Sequence, residues 1–103
     1  MPEYVIERDV AGVGDMTDEQ ARATVLKSLE VLDDLGDEIR WVRSFIVDNK
    51  IYCIYFAPSE ELIREHARRV GAPVDRISEV RHLLDPTSVR PGYGRGAGIS
   101  ASG

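Results

Sequence analysis

The chain has 103 residues, 43% hydrophobic and 30% charged, with a net charge of −5, the profile of one soluble globular domain. That acidic balance excludes a general binder of nucleic acid or of anionic membrane, since either would repel it. No apolar run approaches the roughly eighteen residues of a membrane span, and MPEYVIERDV lacks the basic and apolar regions of a signal peptide.

Residues 3–8 (EYVIER) have β-branched and aromatic residues at their centre and predict a first strand, ended by the glycine-bearing loop AGVGD. Thr17 reads as the N-cap of a helix, with Gln20 completing a capping box and Asp18 and Glu19 facing the positive end of the helix dipole. Ala21, Val25, Leu29 and Leu32 recur at helical spacing and predict the core-facing stripe, and Gly36 is the natural stop.

Residues 39–47 and 51–56 predict two strands joined at Asp48-Asn49 as a hairpin. A two-residue loop sets Ser44 opposite Cys53 and Phe45 opposite Tyr52, whereas a loop one residue longer sets Phe45 opposite Cys53. Pro58 closes the strand, and Ser59 caps a second helix with Glu60 and Glu61 in its first turn. Leu62, Ile63, His66 and Val70 form its apolar stripe, and Gly71 ends it. Residues 76–84 predict a last strand.

The order is β-α-β-β-α-β, so the expected fold is α+β and ferredoxin-like over residues 2–87. It is a four-stranded antiparallel sheet, order 4-1-3-2, with two helices on one face. Residues 88–103, rich in glycine and serine, predict a flexible tail. Trp41, Phe45, Tyr52, Tyr55 and Phe56 place aromatics on both faces of the central hairpin. A sheet-to-sheet homodimer, closing into an α/β barrel, is therefore expected.

Cys53 is the only cysteine and cannot form an internal disulfide, which fits a cytoplasmic compartment. A lone strand cysteine is most often a small buried hydrophobe, and a histidine on an apolar helical stripe is most often a satisfied core residue. The sharper reading makes both of them ligands. Glu7, a carboxylate in an apolar strand, needs an arginine or a cation beside it. Glu7, Cys53 and His66 with water would suit Ni²⁺ or another borderline divalent ion, although no CxxC or HxxxH spacing supports it. His82 reads as a surface strand residue. No nucleophile elbow, phosphate loop or dinucleotide fingerprint is present, so binding is favoured over catalysis.

Taken together, YVIER, WVRSFIVDNKIYCIYFAP, EELIREHARR and EVR…DPTS resemble the small bacterial nickel-binding, nickel-responsive proteins, many labelled domains of unknown function. The resemblance runs from about Pro2 to Ser88. It implies a ferredoxin-like chain pairing into an α/β-barrel dimer, and Ni²⁺ as its ion. Arg43 departs from the histidine expected there in some relatives, and with Arg8 and Arg81 it would make a pocket cationic. The reading is thus a cytoplasmic divalent-metal-binding protein acting in metal buffering or response. The alternatives are a small dimeric α/β-barrel enzyme of monooxygenase or isomerase type, or a small-molecule-binding module with a Tyr/His/Arg-lined pocket.

Overall fold

The computed structural model describes residues 1–88; the tail predicted over 88–103 lies outside them, apart from Ser88. Four strands, β1 (Glu3–Asp9), β2 (Arg40–Ile46), β3 (Lys50–Phe56) and β4 (Arg76–Glu79), alternate with helices α1 (Asp18–Leu35) and α2 (Glu60–Val70). They form one antiparallel sheet in the order β2-β3-β1-β4, the arrangement expected of a ferredoxin-like chain.

Local chemistry sets the helix ends. The Thr17 hydroxyl accepts from the Gln20 amide at 3.1 Å while the Gln20 side chain accepts from the Thr17 amide at 2.9 Å. These bonds satisfy two donors that the first turn leaves unpaired. Ser59 caps α2 through the Leu62 amide, and Gly71 ends it in the left-handed conformation at φ 82° that costs a side-chain-bearing residue strain.

The hairpin turn has two residues. Val47 donates to the Lys50 carbonyl, and Ser44 lies opposite Cys53 and Phe45 opposite Tyr52. A bulge between Trp41 and Arg43 shifts the register of β2. Without it, Trp41 and Ser44, three positions apart, would point to opposite faces. With it, both face the helices, and the Trp41 indole donates to the Ser44 hydroxyl at 2.9 Å.

Cross-strand pairing fixes the two faces. Tyr4, Ile6 and Arg8 of β1 share one with Tyr55, Cys53 and Ile51 of β3. There Tyr4, Ile6, Ile39, Cys53, Tyr55, Ala57 and Ile63 form the buried core, with Leu32, Leu35, Leu62 and Ile77 packed against it. The other face carries Val5, Glu7, Phe45, Tyr52, Ile54 and Phe56.

Two expectations fail. The α1 stripe is rotated from the predicted one: Ser28 and Val31 are buried, while Val25 and Leu29 are exposed at 38% and 45%. Only the C-terminal half of α1 reaches the core, so the helix presents the face that meets α2. The last strand stops at Glu79 rather than running to residue 84, and Leu83 and Leu84 are exposed. β1, its only neighbour in the sheet, pairs with it from Tyr4 to Glu7 alone.

Candidate functional site: a cavity beneath the two helices

Because the first half of α1 stands off the sheet, a cavity of about 220 Å³ opens beneath it. Ala21, Thr24, Val25 and Ser28 of α1 roof it, and His66 and Val70 of α2 close one side. Arg8, Ser44, Ile46, Ile51, Cys53 and Tyr55 form its sheet floor. Val25 and Ile46 are themselves exposed, so the cavity reaches solvent between α1 and β2. Its walls are mostly apolar with a few convergent polar groups, the usual make-up of a small-molecule site.

The polar groups form two linked chains. In the first, the Trp41 indole donates to Ser44, the Ser44 hydroxyl donates to Cys53 Sγ at 3.0 Å, and Arg8 Nε meets the same sulfur at 3.5 Å. Arg8 Nη1 donates to the Pro73 carbonyl at 2.7 Å. In the second, His66 has a hydroxyl at each ring nitrogen, Tyr55 at 3.4 Å from Nδ1 and Ser28 at 3.3 Å from Nε2. Its ring lies tilted on Tyr55, centroids 5.4 Å apart.

Burial sets the charge states. His66 is 1% exposed. That burial, reinforced by the Arg8 cation and opposed by hydrogen bonding to Ser28, holds its pKa below the ordinary 6.5. Burial, then the ionisable Cys53, pushes the Tyr55 hydroxyl up to about 12 against the pull of Arg8 and Ser28. At neutral pH both rings are therefore uncharged.

Of the three residues the sequence suggested as ligands, Cys53 and His66 line this cavity and Glu7 does not. Glu7 pairs with Tyr52 on the opposite face of the sheet, where its carboxylate accepts from Lys50 Nζ at 2.7 Å. A strand alternates faces residue by residue, so Arg8, not Glu7, reaches the cavity. His82 and Arg81, beyond β4, and Arg43 on the outer face are exposed. Among the described residues no group of three or more His, Cys, Asp or Glu could hold an ion. A guanidinium against the only thiol, and hydroxyls on both imidazole nitrogens, do not fit a resident divalent cation.

Of the three arginines expected to make a pocket cationic, Arg8 lines the cavity and Arg43 and Arg81 do not; Tyr55 fits the expected tyrosine-lined pocket, whereas Ser28 and Ser44 carried no such expectation. The signal for Arg8 lies in its strand phase with Tyr4 and Ile6, and that for Ser28 in its helical spacing from Ala21 and Val31.

Residues 4–80, well over half of the chain, match the family model described as nickel responsive protein SCO4226-like. The crystal structure of SCO4226 from Streptomyces coelicolor A3(2) is similar in fold, with a TM-score of 0.67 at 21% identity. The similarity covers 80% of this chain and 99% of that one. Among curated proteins none matches.

Proposed function

We propose that this chain, which belongs to the SCO4226-like family of nickel-responsive proteins, is a ligand-binding module that holds a small molecule in the cavity beneath α1 and α2. The observation that carries this reading is the convergence of Arg8, Ser28, Ser44, Tyr55 and His66, drawn from five elements, on one mostly apolar space. Its 220 Å³ exceeds the roughly 150 Å³ of an apolar protein cavity that takes benzene. Following backbone amides by NMR while titrating benzyl alcohol and benzoate tests the reading. Shifts confined to the cavity lining are expected with at least one probe, and their absence with both overturns it.

Nickel then enters as a response rather than as an ion caged by Glu7, Cys53 and His66. Metal buffering at those residues is the competing reading, and the nickel responsiveness in the family description is compatible with either. Calorimetric titration of Ni²⁺ into wild type, Cys53→Ser and His66→Ala separates the two. The cavity reading expects any Ni²⁺ uptake to be the same in all three; loss of uptake in both variants would reinstate the metal site.

The outer face supports a further part of the proposal, that two copies pair sheet to sheet. Phe45 is 52% exposed there, beside the half-buried Tyr52, Ile54 and Phe56. Large apolar side chains on one face of a sheet with no helix over them are best covered by a second copy.

A further inference from the structure

We propose that the ligand of the cavity is a small organic anion, a carboxylate with an apolar body, held by Arg8. The proposal rests on the small-molecule reading above and names its ligand class. Arg8 is 4% exposed and a guanidinium stays charged at any pH a protein meets. A buried charge is normally paired with an opposite one, yet the groups that Arg8 meets, the Cys53 sulfur, the Pro73 carbonyl and the Tyr55 hydroxyl, are weak or neutral acceptors. Among the described residues every ion pair is made elsewhere, by Lys50, Arg64, Arg68 and Arg69. The His66 and Tyr55 rings, which share the cavity with Arg8, supply no counter-charge, because both are held neutral.

Among the described residues none pairs Arg8 with an opposite charge, so the ligand supplies it from the cavity that Arg8 lines. A carboxylate is planar and accepts two parallel N–H bonds from a guanidinium fork. It also accepts from hydroxyls, and Tyr55 and Ser28 stand on the same lining. The remaining walls, Met16, Ala21, Val25, Ile46, Ile51 and Val70, ask for an apolar body. Since Val25 and Ile46 stand at the solvent opening, the ionised head lies inward on β1 and the body points to the mouth. A divalent cation would meet the opposite: a fixed positive charge in contact with the only thiol.

Benzoate and hexanoate against their uncharged counterparts, benzyl alcohol and 1-hexanol, test this at neutral pH, with affinities read from the same amide shifts. Both anions are expected to bind roughly ten- to a hundred-fold more tightly than the alcohols, the factor one charge-assisted bond pair is worth. Arg8→Met is expected to abolish that preference while keeping the alcohols, and Arg8→Lys to retain part of it. Equal binding of anions and alcohols to wild type leaves the small-molecule reading intact and overturns the anion. No binding of any of the four overturns both. The comparison within wild type holds even if Arg8→Met does not fold.

Discussion

His66 lies between the Tyr55 and Ser28 hydroxyls, and its burial has a consequence for stability. Its folded pKa lies below 6.5, so between those two values the unfolded chain takes up a proton that the folded chain refuses. The stability this contributes is complete above about pH 6.5 and is lost as the pH falls from there through the depressed value. Urea midpoints measured down that range are expected to drop more steeply for wild type than for His66→Gln, which keeps hydrogen-bonding groups but does not titrate. Coinciding slopes would show that another group titrates. Cys53 and His66 were legible because each is a rare residue type inside a strongly periodic element. Glu7 stands one position from Arg8, the residue of β1 that lines the cavity. In a strand that single step exchanges the two faces, and no property of a lone carboxylate reveals which face is buried. Ile63, fully buried on the core side of α2, gives a calibration: Ile63→Ala should cost about 2–5 kcal/mol by urea unfolding.

Among the elements, the short turn of 3-10 helix between β1 and α1 (Val13–Asp15) acts as a clamp on the hairpin. Gly14 donates to the Asp48 carbonyl at 3.0 Å, Val10 to the Asn49 carbonyl, and Gly12 to the Asn49 side chain. A Cβ on Gly14 would lie 2.7 Å from the Val47 carbonyl oxygen and 2.9 Å from Asp48 Cα. These are backbone atoms and cannot swing aside. Gly14→Ala is therefore expected to cost about 1–3 kcal/mol and to loosen the turn, which hydrogen exchange at Lys50 and Val47 would register. Unchanged stability and exchange would show that the two segments separate freely. Thr17→Ala should cost about 1 kcal/mol, read in the same unfolding experiment. Helix boundaries were legible because caps are local, written in three or four adjacent residues. The rotation of α1 was not, because Val25, Leu29 and Leu32 are as apolar as Val31, and only packing on α2 decides which of them turns inward. The bulge at β2 was equally hidden, yet it brings Trp41 and Ser44 to the same face.

For the whole molecule, the element order was legible from periodicity and turn chemistry and a Tyr/His/Arg-lined pocket stood among the readings, whereas the cavity's place and shape were not legible. Both arise from a long helix touching the core at one end only, a matter of tertiary geometry. The opposite face of the sheet raises the question of assembly. Phe45 and Tyr52 face each other across the hairpin, and the Arg40 guanidinium covers Phe56 at 6.0 Å, leaving the patch around Phe45 and Ile54 to a partner. Lys50 stands at the edge of this patch with Glu7 and Asp9, whose carboxylates raise its pKa, so the ion pair closes the apolar surface on the side of the turn. Burying an aromatic side chain contributes about 2–3 kcal/mol, and in a two-fold pair each such residue counts twice. Light scattering at micromolar concentration is therefore expected to give the mass of two chains. Phe45→Glu combined with Tyr52→Glu should give the mass of one, because it sets carboxylates against each other across the pairing plane. Neither side chain belongs to the buried core, so the circular dichroism and the benzoate binding of that variant should match wild type. A wild-type monomer would remove the sheet-to-sheet pair. A dimer that survives both substitutions would move the interface to the exposed Leu26 and Leu29 of α1, beside the mouth of the cavity.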